Sequence, residues 1–199
     1  MDEMTTGALS RAFLAHSASR WPLVLGLFWG FFEATAFFVV PDVYLVLVAL
    51  LHWRRGLAAT AAAVAGAVVG GALIYSIARA DPRGMDAFLA GIPLIRKDML
   101  QATGERMRLD GLISMLNEPL QGVPFKVYAA KAGELAVSLP VFLLMTIPAR
   151  LSRILPGVLL AAGLGTRFRR LVHEHIPVVF GGYAALWMLI YFLYYLKVG

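Results

Sequence analysis

Between residues 21 and 53 the chain runs for about 33 residues almost without charge, and this length is its strongest constraint. One membrane-spanning helix needs about 20 apolar residues, and two need about 40 with a turn between them. The run is too long for one span and too short for two. Glu33 interrupts it, and Pro41-Asp42 follows. Pro41 has no amide donor and disfavours helix at Val40. The spacing predicts a broken hairpin: a helix over 21–38, a turn at 40–42, and a shorter helix returning by Leu51. Such backbone is tolerated at membrane depth only where it is buried in protein or lines a wet cavity.

Composition points the same way. Of 199 residues, 60% are hydrophobic and 15% charged, against about 45–50% and about 25% in soluble domains. Mean hydropathy is +0.74. The balance excludes a disordered, collagen-like or coiled-coil chain and speaks against a soluble enzyme. With no cysteine, disulfides, Cys-based zinc sites, Fe–S clusters and thiol catalysis are out. A net charge of +6 would raise nucleic acid as a partner of a soluble protein. Here the basic residues are short flanks of apolar runs, such as Arg54-Arg55 and 167–170, and no nucleic-acid motif is present. Anionic lipid headgroups are the simpler expectation. No cofactor motif is expected either.

The rest of the chain suggests two halves. Residues 1–20 read as a surface segment, and 57–78 as an uncharged span. Its small residues Ala58, Ala62, Gly66 and Gly70, with Ala63, Ala67 and Gly71 in a parallel row, suit close helix packing in lipid. Residues 79–110 carry mixed charge and read as an interfacial linker with one or two short helices. Then comes a second apolar stretch, 111–134, broken by Pro119, Gly122 and Pro124. A further over-long run, 135–165, is interrupted by Pro140, Pro148 and Pro156, and Gly163-Leu164-Gly165 is expected to terminate its helix. A final span at 176–196 ends in Trp187, Tyr191, Tyr194 and Tyr195, read as an interfacial aromatic girdle. The expectation is an all-α integral membrane protein of two inverted repeats, each a re-entrant broken-helix hairpin plus transmembrane helices. Its single membrane domain is 21–196, with repeat one at 21–79, an amphipathic linker at 80–110 and repeat two at 111–196. Lys and Arg are balanced seven to seven between the two sides, so they do not orient it.

The few charges within apolar segments matter most, because each costs at least about 2.5–3.5 kcal/mol at the bilayer centre. They are Glu33, Asp42, Lys126, Lys131, Arg150 and Arg153. Lys126, Lys131 and Arg153 either snorkel to headgroups or line a cavity. Glu33 and Asp42 either form salt bridges to Arg150 or Arg153 or exchange protons in a partly hydrated site, and one does not exclude the other. Arginine suits bidentate capture of phosphate. An acid in one broken hairpin and bases in the opposite half would equip a proton-linked carrier of an anionic headgroup. His173-Glu174-His175 is a poor metal site, since its histidines would point to different faces of a helix. Arg167 and His173 match part of a lipid phosphatase signature whose other parts are missing, and no nucleophile–base set is visible, so an enzyme is not expected.

Several motifs resemble one known family. Phe32-Glu33-Ala34, Phe37-Phe38, Pro41-Asp42 with Leu45 and Ala49-Leu50 look like the first re-entrant hairpin of the DedA family, also called the SNARE-associated or VTT-domain family. Gly66, Gly70-Gly71 and Tyr75 resemble its Gly-rich span, with Ala78-Arg79 in place of Gly-Arg. Pro124-Phe125-Lys126-Val127-Tyr128 with Gly133 resembles the second hairpin of a bacterial branch, and Arg150 and Arg153 match its Arg-x-x-Arg pair. The chain departs at Leu116-Asn117-Glu118-Pro119, where the family has aromatic-Thr-Pro. Phe125 replaces Tyr, and Lys126 is the nearest equivalent of an Arg at the second break. The resemblance implies a bacterial inner-membrane protein moving a polyprenyl phosphate or phospholipid, with protons. Glu33 and Asp42 would carry the proton, and Arg150, Arg153 and Lys126 would hold the phosphate. Pro41, Pro119, Pro124, Asn117 and Glu118 would shape the breaks. The alternatives are an energy-independent lipid scramblase and a non-transporting membrane scaffold.

Overall fold

The computed structural model describes residues 3–117 and 122–198, with side chains other than those of 3–6, 9, 117, 197 and 198. Among the described residues ten α-helices follow in order: α1 (Glu3–Ala18), α2 (Trp21–Thr35), α3 (Asp42–Leu51), α4 (Trp53–Ala80), α5 (Pro82–Ala90), α6 (Lys97–Asp110), α7 (Phe125–Glu134), α8 (Leu139–Arg167), α9 (Arg169–Glu174) and α10 (Ile176–Val198). A 3₁₀ segment, Gly111–Asn117, precedes α7. No strand occurs among the described residues. α4, α8 and Ile176–Leu196 of α10 are long and apolar enough to cross a membrane. The described residues are therefore all-helical, with three helices long and apolar enough to cross a membrane.

Local chemistry sets the ends. Pro22 and Pro140 sit in the first turns of α2 and α8, where an amide would be unsatisfied anyway. Asp81 caps α5 by accepting from the Gly84 amide at 2.9 Å. α2 stops at Thr35, three residues before the expected end, and the Thr35 hydroxyl bonds the carbonyls of Phe31 and Phe32. Pro41 caps α3, and Pro124, in extended backbone, precedes α7. The break thus spans 36–41.

The expected interruption of 135–165 is absent. α8 is one helix with Pro148 and Pro156 inside it. Each proline removes one helical hydrogen bond, and in apolar surroundings neighbouring helices and Ser/Thr side chains compensate. The hydroxyls of Thr146 and Ser152 bond the carbonyls of Phe142 and Ala149 in the same turns, while the carbonyls that the prolines leave without an amide are those of Leu144 and Ser152. Nor does Gly165 end the helix. It lies inside α8, where a Cβ would overlap the Leu50 carbonyl.

α4 is the axis of the molecule and packs against α2, α3, α7 and α8. Half of its most apolar window is buried, against 28% for α8 and 6% for α10. A Cβ at Gly30 would overlap the carbonyl oxygen of Ala63, and one at Gly66 that of Leu27. The small-residue face thus brings α2 and α4 backbone to backbone. Of the expected rows, Ala63, Ala67 and Gly71 are buried, and Ala58 and Ala62 are only half-buried. Tyr75 stacks on Phe142 at 5.6 Å between ring centres, and Gly165 meets Leu50 at the other end. α8 therefore runs antiparallel to α4. Ser17, just ahead of α2, lies 2.8 Å from His52, just after α3. The chain enters α2 and leaves α3 at the same end.

Candidate functional site

The last turn of α2, the break after it, the start of α3, the start of α7 and the middle of α8 converge on one cluster of charge. Arg150 Nη2 donates to Glu33 Oε2 at 2.6 Å. Both side chains are buried, at 0% and 2% exposure. Arg153 lies one turn further along α8, as the i, i+3 spacing requires. Its guanidinium lies 3.9 Å from Glu33 Oε1 and 3.8 Å from Asp42 Oδ2, so it bridges the two carboxylates. Asp42 Oδ2 is shielded from solvent and accepts no hydrogen bond. Lys126, in the first turn of α7, reaches into the break and donates to the Phe37 carbonyl at 3.2 Å. The Arg150 guanidinium also sits over the Phe125 ring, 5.2 Å from its centre, close enough for a cation–π contact.

Three cations and two carboxylates leave this cluster with one excess positive charge. Glu33, Lys126 and Arg153 face a cavity of about 200 Å³, which Val40 and Pro124 of the two breaks also line. It has room for several waters. Asp42 and Arg150 stand behind that lining. Pro41 turns the chain into α3. Asn117 ends the 3₁₀ segment, and its side chain, with Glu118 and Pro119, lies outside the described residues.

The far wall of the cavity is α10, through Trp187, Ile190, Tyr191 and Tyr194. Three of the four residues expected as an aromatic girdle thus line the cavity, and Tyr195 is freely exposed, at 61%. The tyrosines tie α10 to both breaks. The Val40 amide donates to the Tyr191 hydroxyl at 3.0 Å, Tyr183 donates to the Asp42 carbonyl at 3.1 Å, and Tyr194 donates to the Gly122 carbonyl at 2.9 Å. Sequence reasoning missed these contacts. The signal was there: 183, 187, 191 and 194 share one helix face.

Lys126 and Lys131 do not snorkel. They are 1% and 4% exposed. Lys131 donates to Asp86 at 2.8 Å and to Glu134 at 2.6 Å, tying α5 to α7. Neither acid was singled out from sequence: only the fold brings Asp86 to α7, whereas Glu134 stands at the i, i+3 spacing that a helix pairs with Lys131. Compared with protein-family models, curated proteins and solved structures, the chain matches none.

Proposed function

We propose that the protein is a membrane transporter that moves an anionic, phosphate-bearing lipid across the bilayer with protons. The observation that carries this reading is the Glu33–Arg150–Arg153–Asp42 network, joined by Lys126, at the wall of a cavity between two helix breaks. Charges of this kind inside a membrane mark substrate or proton paths. The motif resemblance to the DedA family and the shared end of α2 entry and α3 exit support reading 21–53 as a re-entrant hairpin. The segment around α7 would be its inverted counterpart.

In this reading a phosphate enters beside Arg153 and Lys126 and competes with the carboxylates for the guanidinium. Protonation of Asp42 or Glu33 removes one competitor and raises the local charge by one. Phosphate arrival and proton uptake then favour each other. Release of the proton on the far side returns the carboxylate to Arg153 and expels the lipid. The tyrosine-held wall of α10 would face the lipid tail.

The test is reconstitution in liposomes with a labelled polyprenyl phosphate or phosphatidylglycerol and an imposed pH gradient. Glu33→Gln and Asp42→Asn are expected to lose the response to the gradient. Unchanged flipping in both would sink the proton assignment. Bidirectional movement insensitive to the gradient in the wild type would favour a scramblase, and a wild type inert towards every lipid would favour a scaffold.

A further inference from the structure

The two ends of the bundle carry different charge. Segment 79–110, at the C-terminal end of α4, holds six Lys or Arg and five carboxylates. At the other end, segments 16–20, 52–55 and 165–176 hold six arginines, all four histidines of the chain and one carboxylate, Glu174. The fold gathers these three segments. Ser17 meets His52, Leu51 packs with Val172 and Ile176, and Gly165 lies against Leu50. Glu174 is engaged by Arg170 at 2.8 Å.

Two features mark this end as a membrane boundary. The guanidiniums of Arg54 and Arg167 lie over the neighbouring rings of Trp53 and Phe168, 5.1 and 5.8 Å from their centres. Both rings are exposed. An exposed ring with a guanidinium stacked on its face is an amphipathic pair of the kind that suits headgroup depth. None of these residues lines the cavity beside Glu33.

The histidines add a condition. His52 accepts or donates to Ser17 of α1 and faces His173 and Arg169 of α9 and Arg55 of α4. His173 faces Arg169, and its Nε2 is shielded and has no hydrogen-bond partner. Burial first, and then the neighbouring charged groups, Arg169 for both and Arg55 for His52, hold both imidazoles below their ordinary value. They are neutral at pH 7. A phosphate beside them would supply the counter-charge that the fold lacks here, and each proton gained would draw it in.

We infer that this end of the bundle binds the anionic phosphate headgroups of the leaflet it faces, and that His52 and His173 tighten the binding on acidification. The site is separate from the proposed transport cavity and stands or falls independently of it. The test titrates the full chain in neutral detergent with dihexanoyl phosphatidylglycerol, following its thermal stability at pH 7.5 and 5.5. Dihexanoyl phosphatidylcholine and inorganic phosphate are the comparison probes. Phosphatidylglycerol is expected to bind and to bind tighter at pH 5.5. Arg169→Gln with Arg170→Gln should weaken it about 25-fold, at about fivefold per arginine near a charged surface. His52→Gln with His173→Gln should leave binding at pH 7.5 and remove the gain at pH 5.5. Arg106→Gln with Arg108→Gln, at the opposite end, should change neither. An equal response to phosphatidylcholine, or full replacement by inorganic phosphate, would overturn the headgroup site. An unchanged pH effect in the histidine variant would overturn the acid-dependent part.

Discussion

Removing Arg150 would leave the Glu33 carboxylate buried without its 2.6 Å hydrogen bond. Breaking a buried pair from one side typically costs about 3–5 kcal/mol, because the surviving charge is uncompensated. Arg150→Met is therefore expected to lower the unfolding free energy in detergent by that order. Glu33→Gln combined with Arg150→Met should recover much of it, measured by denaturant titration of both. A double variant as unstable as the single one would mean that packing of the arginine stem, and not its charge, holds the site. Glu33, Asp42, Lys126, Arg150 and Arg153 were legible in the sequence because charge is scarce in apolar runs. Which acid meets which base was not, since Glu33 and Arg150 are 117 positions apart. Their pairing follows from the rotation of α8 against α2, which no local pattern encodes.

At the scale of elements, contact between α2 and α4 is set by absent side chains. Gly66→Ala would place a methyl group against the Leu27 carbonyl. It is expected to destabilise by about 1–3 kcal/mol through overpacking. Gly163→Ala in α8 meets nothing within 4 Å and should be neutral or stabilising by up to about 1 kcal/mol from helix propensity. Thermal melts of the two variants side by side would check this, and equal shifts would contradict the close approach. The small residues of α4 announced this packing in the sequence. The continuity of α8 was not announced, because Pro148 and Pro156 mark possible breaks and only the neighbours decide whether a helix kinks or ends. α10 shows the same limit. Its apolar surface reads as a plain span, yet three hydroxyls on one face bond the backbone at the two breaks and the start of α3.

For the molecule as a whole, the histidine-rich end predicts how stability follows pH. His52 and His173 are held below the ordinary imidazole value when folded, so on acidification the unfolded chain binds protons first. Stability present above about pH 6.5 is lost as the pH falls through the folded values. In neutral detergent the melting temperature should drop between pH 7 and pH 5, and less so in His52→Gln with His173→Gln. An unchanged drop would place its origin elsewhere. The Glu33–Arg150 pair has a further consequence, in the order of synthesis. Arg150 is made 117 residues after Glu33. At about 5–20 residues per second, the carboxylate waits on the order of ten seconds for its partner. During that time α2 holds Glu33 without the two arginines of α8. Nascent chains arrested before Arg150 should therefore let a carbodiimide reach Glu33, and chains released complete should protect it. The ribosome, by making the base so late, leaves the first half of this protein provisional until the second half arrives.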